Sequence, residues 1–117
     1  MIVDDEPYLS RILSFKLRRE GFSTVEARSA EDAERVVASR PVDLIVLDIA
    51  LATPTNGFDL AAKLRRNAAT EHIPIIMLTA RGFSADVLRG REIGAAGYIT
   101  KPFSTADVIE RIRAILE

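Results

Sequence analysis

The stretch that decides the fold is Asp43-Leu44-Ile45-Val46-Leu47-Asp48, four consecutive aliphatic residues between two aspartates. A short apolar run without alternation predicts a strand buried on both faces, as in a parallel sheet covered by helices. A second run of this kind, Pro74-Ile75-Ile76-Met77-Leu78, ends just before Thr79. Amphipathic segments lie before and after both runs, and this alternation is typical of repeated βα units. We therefore expect an α/β fold built on a parallel sheet.

Shorter segments complete the pattern of five strands and five helices. The three further strands are predicted at Ile2-Val3, at Thr24 to Ala27 and at Tyr98-Ile99-Thr100. Serine caps, prolines and glycines limit the helices. Their predicted limits are Pro7 and Gly21, Ser29 and Pro41, Gly57 and Arg66, Ser84 and Gly94, and Ser104 and the end of the chain. The last helix should bury its apolar residues Val108, Ile109, Ile112, Ile115 and Leu116.

The composition is that of a single globular domain. The 117 residues include 16 basic and 17 acidic side chains, and no basic tract of the kind that follows a nucleic-acid backbone is present, so direct nucleic-acid binding is not expected. Cysteine is absent, which excludes disulfides and thiolate metal sites. No apolar stretch is long enough to span a bilayer, and no signal-peptide pattern opens the chain. We expect one soluble, cytoplasmic domain over residues 1–117.

Polar residues follow four of the predicted strands at their carboxyl ends, where ligands bind in doubly wound sheets. Because parallel strands end at the same edge, these side chains should converge on one crevice. A lone acid at a strand end is usually a helix cap, and a lone lysine is usually solvated. The joint pattern on four strands favours a functional site instead. Its members are Asp4, Asp5, Glu6, Asp48, Thr79 and Lys101.

This set of residues predicts phosphoryl chemistry. Clustered carboxylates repel one another, and a hard divalent cation relieves that repulsion. Mg²⁺ takes few protein ligands, which suits Asp5, Asp48 and one backbone carbonyl. A carboxylate beside Mg²⁺ is also a nucleophile toward phosphorus and can form an aspartyl phosphate. In such a site Lys101 supplies a positive charge and Thr79 a hydroxyl donor for the phosphoryl oxygens.

Four ordered motifs resemble those of bacterial two-component response-regulator receiver domains of the CheY-like type. They are Val3-Asp4-Asp5-Glu6, Leu47-Asp48, Leu78-Thr79-Ala80 and the stretch from Tyr98 to Phe103, which reads Tyr-Ile-Thr-Lys-Pro-Phe. The resemblance covers essentially the whole chain. It implies a doubly wound (βα)5 three-layer sandwich whose five-stranded parallel sheet has the strand order 2-1-3-4-5.

The resemblance also implies a role for each acidic residue. Asp48 would be the phosphoacceptor. Asp5, Asp48 and the backbone carbonyl of Ala50 would bind Mg²⁺ directly, and Asp4 would reach the ion through a water molecule.

Three further residues take roles by the same resemblance. Lys101 and Thr79 would contact the phosphoryl group, and Thr79 and Tyr98 would form the pair of switch residues. For Tyr98 alone, a half-buried packing role on an edge strand is the simpler interpretation. Its position three residues before Lys101 favours the switch role once the family is granted.

The function implied by the family is phosphorelay signalling. The partners would be a sensor histidine kinase or phosphotransfer protein, and a downstream protein or fused output domain. The domain would not be an enzyme, beyond slow self-phosphorylation and autodephosphorylation, and would be a monomer or weak dimer.

Three features depart from the family pattern. Strand one is short, as though truncated. The loop after Asp48 reaches Pro54 and the Asn56-Gly57 pair about one residue late. Ala96 and Gly97 stand where many receivers attached to winged-helix DNA-binding domains carry two acids. This last departure weakens the expectation of a DNA-binding output of that class.

Three other functions fit the residues less well. A phosphatase of the haloacid-dehalogenase type needs a second aspartate two positions after the nucleophile, where this chain has Ala50. A dinucleotide-binding half-domain needs a glycine fingerprint in the first strand-to-helix turn, which reads Asp4-Asp5-Glu6-Pro7. A non-phosphorylated interaction domain is disfavoured because every residue that phosphorylation requires is present.

Overall fold

The computed structural model describes residues 1–49, 57–79, 93–100 and 103–117 of the chain. Within these residues, five parallel strands form one sheet in the order β2-β1-β3-β4-β5. The strands are β1 Ile2–Val3, β2 Glu26–Ala27, β3 Ile45–Asp48, β4 Ile75–Thr79 and β5 Gly97–Thr100. The described helices are α1 Pro7–Arg19, α2 Ala30–Ser39, α3 Gly57–Arg66 and α4 Thr105–Leu116. The predicted fold class and strand order are confirmed.

The helix predicted from Ser84 to Gly94 falls almost entirely on residues 80–92, which lie outside the described residues. Among the described helices, the predicted caps are confirmed. Ser29 accepts a hydrogen bond from the backbone N–H of Asp32 at 3.1 Å, and Ser104 accepts one from Asp107 at 3.3 Å. Gly21 follows α1 with a φ of 97°, a left-handed conformation that favours glycine after a helix. No helix in the described ranges is both long and apolar enough to cross a bilayer.

Helices cover both faces of the sheet, which produces three layers. Successive residues of a strand face opposite sides, so β1, β3, β4 and β5 each contribute to two cores. The first core cluster joins one face to α2 and α3 through Leu47, Met77, Ala33, Leu60 and Leu64. The second core cluster joins the other face to α1 and α4 through Val46, Leu78, Leu13, Val108 and Ile112. These two-sided strands are the continuous apolar runs of the sequence.

Strand limits differ from the sequence prediction by one or two residues. β2 begins at Glu26 instead of Thr24, because its partner β1 offers only Ile2 and Val3 for pairing. The Thr24 hydroxyl instead lies 2.6 Å from the hydroxyl of Ser14 on α1. At the carboxyl edge, β3 extends to Asp48 and β4 extends to Thr79. The sheet therefore includes two of the predicted site residues.

One prediction about side-chain exposure was wrong. Leu116 is 42% exposed, because it lies at the border of the buried stripe of α4 in the final helical turn. Arg65 of α3 is half-buried. Its guanidinium donates to the backbone carbonyl of Gly94 at 2.6 Å and to that of Glu71. Arg66 is exposed.

Candidate functional site

The strand register brings the acids that follow β1 to the end of β3. Val3 pairs with Leu47 in the parallel ladder. The backbone N–H of Asp4 then donates to the carbonyl of Ala27 at 3.0 Å, which holds Asp4 in line with the sheet. Asp4 comes one residue after Val3, and Asp48 comes one residue after Leu47. The sequence prediction that these residues converge follows directly from this parallel register.

Three carboxylates form one cluster at this edge. One oxygen each of Asp4, Asp5 and Asp48 lies within 4.8 Å of the other two. Asp4 and Asp48 are 1% and 3% exposed, whereas Asp5 is half-buried and open toward solvent. Oδ1 of Asp4 accepts a hydrogen bond from the backbone N–H of Glu6 at 2.8 Å. That bond fixes the turn from β1 into α1 and commits one Asp4 oxygen to the protein.

Thr79 and Tyr98 lie on one face of the sheet. Thr79 ends β4 and is 2% exposed. Tyr98 pairs with Met77, two residues before Thr79, and residues two apart on a strand face the same side. The Tyr98 side chain is half-buried against the first core cluster, and its hydroxyl oxygen is buried. Tyr98 therefore packs against the core, and it lies on the same face of the sheet as Thr79.

The backbone of Ile49, the residue after Asp48, is held from two sides. The backbone N–H of Ile49 donates to the carbonyl of Leu78 on β4 at 3.0 Å. The carbonyl of Ile49 accepts from the backbone N–H of Gly57, the first residue of α3, also at 3.0 Å. The sequence prediction placed Gly57 in the Asn56-Gly57 pair and at the start of a helix, and did not anticipate its contact with Ile49.

Two predicted site residues lie outside the described residues: Lys101 and Ala50. The chain after Lys101 is described from Phe103, which is half-buried against the second core cluster. Ser104 then caps α4.

The donor atoms of the cluster select a class of metal ion. All three donor groups are carboxylates, which suit hard cations such as Mg²⁺ and Ca²⁺ and do not suit soft metals. His72, the single histidine, is exposed and lies before β4, at the opposite end of the strands. It therefore does not join the cluster. The arrangement can bind one divalent cation beside a buried carboxylate.

Comparisons with known proteins identify the family that this chain resembles. The family model of the response regulator receiver domain matches residues 1–113. The chain is 41% identical over 116 residues to the phosphate regulon transcriptional regulatory protein PhoB of Pseudomonas aeruginosa, an alignment that covers 99% of this chain and 50% of that protein. It is 35% identical to the DNA-binding dual master transcriptional regulator RpaA of Synechocystis, over 99% of this chain and 48% of that protein.

A solved structure shows the same fold. The non-phosphorylated HemR receiver domain of Leptospira biflexa matches with a TM-score of 0.89 and 31% identity, over 99% of this chain and 91% of that chain. The chain spans about half the length of the curated relatives it matches.

Proposed function

This chain belongs to the response regulator receiver family of two-component signalling, and we propose that it accepts a phosphoryl group on Asp48 in a Mg²⁺-dependent reaction. The observation that supports the proposal is the cluster of Asp4, Asp5 and Asp48 at the carboxyl edge of the sheet. Asp48 is the member of this cluster that belongs to a strand, where it pairs with Leu78 of β4, so the sheet fixes its backbone. A nucleophile must be held in place if its reaction is to be fast.

Mg²⁺ fits the chemistry of the donor set. The three carboxylates carry like charges in a partly desolvated crevice, and a divalent cation would offset their repulsion. In the proposed site Asp5, Asp48 and the backbone carbonyl of Ala50 bind the ion. Asp4, with one oxygen committed to the Glu6 N–H, acts through a bound water. When bound, the ion neutralises charge on the phosphoryl oxygens.

The proposed reaction is a phosphoryl transfer. A carboxylate oxygen of Asp48 attacks the phosphorus of the donor, and a P–O bond forms while the donor's bond to phosphorus breaks. The donor group departs with the electron pair of that broken bond, as imidazole from a phosphohistidine or as acetate from acetyl phosphate. The product is an aspartyl phosphate on Asp48.

Other residues of the proposal stabilise and transmit the modification. The positive charge of Lys101 stabilises the negatively charged phosphoryl oxygens, and the hydroxyl of Thr79 donates a hydrogen bond to them. Because Tyr98 shares a face of the sheet with Thr79, movement of Thr79 toward the phosphoryl group would open space for the Tyr98 ring. Such a paired movement would change the outer surface next to β5.

We propose a signalling role without substrate turnover. Position 50 is alanine, so the side chain two residues after Asp48 cannot act as a general acid or base for hydrolysis. An aspartyl phosphate without such a group should persist long enough to act as a signal. Autodephosphorylation would then be slow.

The partners are also part of the proposal. A sensor histidine kinase or phosphotransfer protein would supply the phosphoryl group to a cytoplasmic domain that spans residues 1–117. The relatives PhoB and RpaA are named as transcriptional regulators, and this chain matches about half of each. A DNA-binding output, either fused to the domain or in a partner protein, is therefore compatible with this family. This domain itself is not expected to contact nucleic acid directly.

Intact mass spectrometry tests the proposal. Incubation with acetyl phosphate and Mg²⁺ should add one phosphoryl group to the chain, and chelation of the ion should prevent the addition. The Asp48→Asn variant should remain unmodified, and Asp43→Asn, a change two residues before the same strand begins, should label normally. Normal labelling of Asp48→Asn would refute the assignment of the acceptor.

A further inference from the structure

The absence of a side chain at Gly57 is a structural requirement of the fold. A Cβ atom built at Gly57 would lie 2.4 Å from the carbonyl oxygen of Asp48 and 2.6 Å from the Cα of Ile49. Carbon atoms in proteins do not approach at such distances, since close-packed atoms meet at about 3.5–4.0 Å. The obstructing atoms belong to the backbone, so no rotation of a side chain would relieve the overlap. Any residue larger than glycine must displace either α3 or the end of β3.

Helix propensity does not explain the glycine. Gly57 is the first residue of α3 and has no positive φ, so alanine would suit its backbone conformation and favour the helix. The reason for glycine is therefore the close approach to Asp48, together with the hydrogen bond from its N–H to the Ile49 carbonyl.

This contact acts on the backbone that carries the proposed phosphoacceptor. Leu78 of β4 holds the Asp48–Ile49 peptide on one side, and Gly57 holds it on the other. A residue at position 57 that moved this peptide would also move the Asp48 carboxylate relative to Asp4 and Asp5. Displacements on the order of 1 Å at a reacting group can cost about 100-fold in rate.

We infer that Gly57 is a positioning residue, which sets the place of the Asp48 carboxylate relative to the acids that follow β1. The inference rests on the proposed phosphorylation of Asp48.

The test compares Gly57→Ala with Gly97→Ala. Gly97 is also buried and lacks a positive φ, but its Cβ would meet only the end of the Arg111 side chain at 3.5 Å, an ordinary contact. The rate of labelling by acetyl phosphate, per folded molecule, should fall about 100-fold in Gly57→Ala and stay unchanged in Gly97→Ala. The affinity for Mg²⁺ should fall about tenfold in Gly57→Ala only. Loss of stability with an unchanged rate and unchanged Mg²⁺ affinity would overturn the inference.

A measurement on the unaltered protein decides the matter if Gly57→Ala does not fold. In an amide NMR spectrum, the resonance of Gly57 should shift on Mg²⁺ addition with the same midpoint as that of Asp48, while the resonance of Gly21, after α1, should not. A Gly57 resonance that stays in place while that of Asp48 shifts would overturn the inference. Failure of the proposed function looks different, because the unaltered chain would then acquire no phosphoryl group at all.

Discussion

The two ends of the sheet solve the problem of buried charge in opposite ways. At the carboxyl end, Asp4, Asp5 and Asp48 place three like charges within 4.8 Å of one another. At the amino end, the Met1 amine is partly buried and donates a hydrogen bond to the carbonyl of Leu44 at 2.8 Å. The negative charge of Asp43 lies close enough to raise the pKa of this amine, against the larger effect of burial.

The difference shows where the molecule depends on its surroundings. At the amino end, burial favours the uncharged form of the Met1 amine, so that end avoids a buried charge by releasing a proton and needs no ion. At the carboxyl end, a bound cation would offset the repulsion of the like charges. We therefore expect the carboxyl end of the sheet to respond to Mg²⁺ and the amino end to respond to pH, and each to be perturbed without the other.

The largest expected effect is on Mg²⁺ affinity at the carboxyl end. Asp5→Asn removes a direct ligand of the proposed site and should weaken Mg²⁺ binding about 100-fold or more. Asp4→Asn removes a group that acts through water and should weaken it about tenfold. Isothermal calorimetry would measure both, with Asp43→Asn at the amino end as the control that should bind normally. If Asp4→Asn proved more damaging than Asp5→Asn, the two ligand roles would be reversed.

A smaller effect is expected at the amino end, on stability as a function of pH. Burial lowers the pKa of the Met1 amine from 8.0 to about 6, although the charge of Asp43 acts in the opposite direction. Between about pH 6 and pH 8 the unfolded chain thus binds a proton that the folded chain does not. The free energy of unfolding should rise with pH across this window, by roughly 1–3 kcal/mol from this group, and this contribution should be constant above and below it.

Urea denaturation at several pH values would measure this rise. Acetylation of the amine removes the titrating group, so the acetylated chain should lose this part of the pH dependence. An identical rise in both forms would assign the effect to another group. Mg²⁺ affinity should be the same in both forms, since the amine lies at the far end of the sheet.

The smallest effect is expected on the flank of the sheet, which belongs to neither end. A symmetric dimer held together by charge pairs across its two-fold axis would need acids at positions 96 and 97. This chain has Ala96 and Gly97 there, although the basic residue Arg111 is present. The guanidinium of Arg111 instead lies against Gly97. Exposed charge pairs contribute only about 0–1 kcal/mol each, but they select the partner and its register.

We therefore expect the domain activated with beryllofluoride to remain a monomer or a weak dimer. The Arg111→Glu substitution should leave its oligomeric state in solution unchanged. Light scattering at high protein concentration would test this. A stable dimer that Arg111→Glu dissociates would mean that the flank assembles symmetrically despite the missing acids.

The fold was largely predictable from local sequence features. The two apolar runs, from Leu44 to Leu47 and from Ile75 to Leu78, identified the central strands β3 and β4, because a sheet covered on both faces buries such runs. Caps such as Ser29 and Ser104 located helix starts because their hydrogen bonds are made within three residues. The limits of β2 were not predictable, because they depend on the length of its partner strand.

The acidic residues of the candidate site could be predicted from the sequence, but the contacts that hold the surrounding backbone in place could not. Asp4, Asp5 and Asp48 could be grouped because parallel strands end at one edge. The contact of Gly57 with Asp48 and the hydrogen bond from Arg65 to Gly94 depend on how separate elements pack. No spacing rule in the sequence encodes such distances. The roles of Lys101 and Ala50 remain predictions from the family resemblance.

Chemical mapping of the modified residue tests the central claim most directly. Borohydride reduces an aspartyl phosphate to homoserine, so a chain treated with acetyl phosphate and Mg²⁺, then reduced and digested, should contain homoserine at position 48 and at no other position. Omission of Mg²⁺ should abolish this product. Homoserine at Asp4 or Asp5 instead, or a phosphoryl group that borohydride does not convert, would contradict the assignment of Asp48 as the phosphoacceptor.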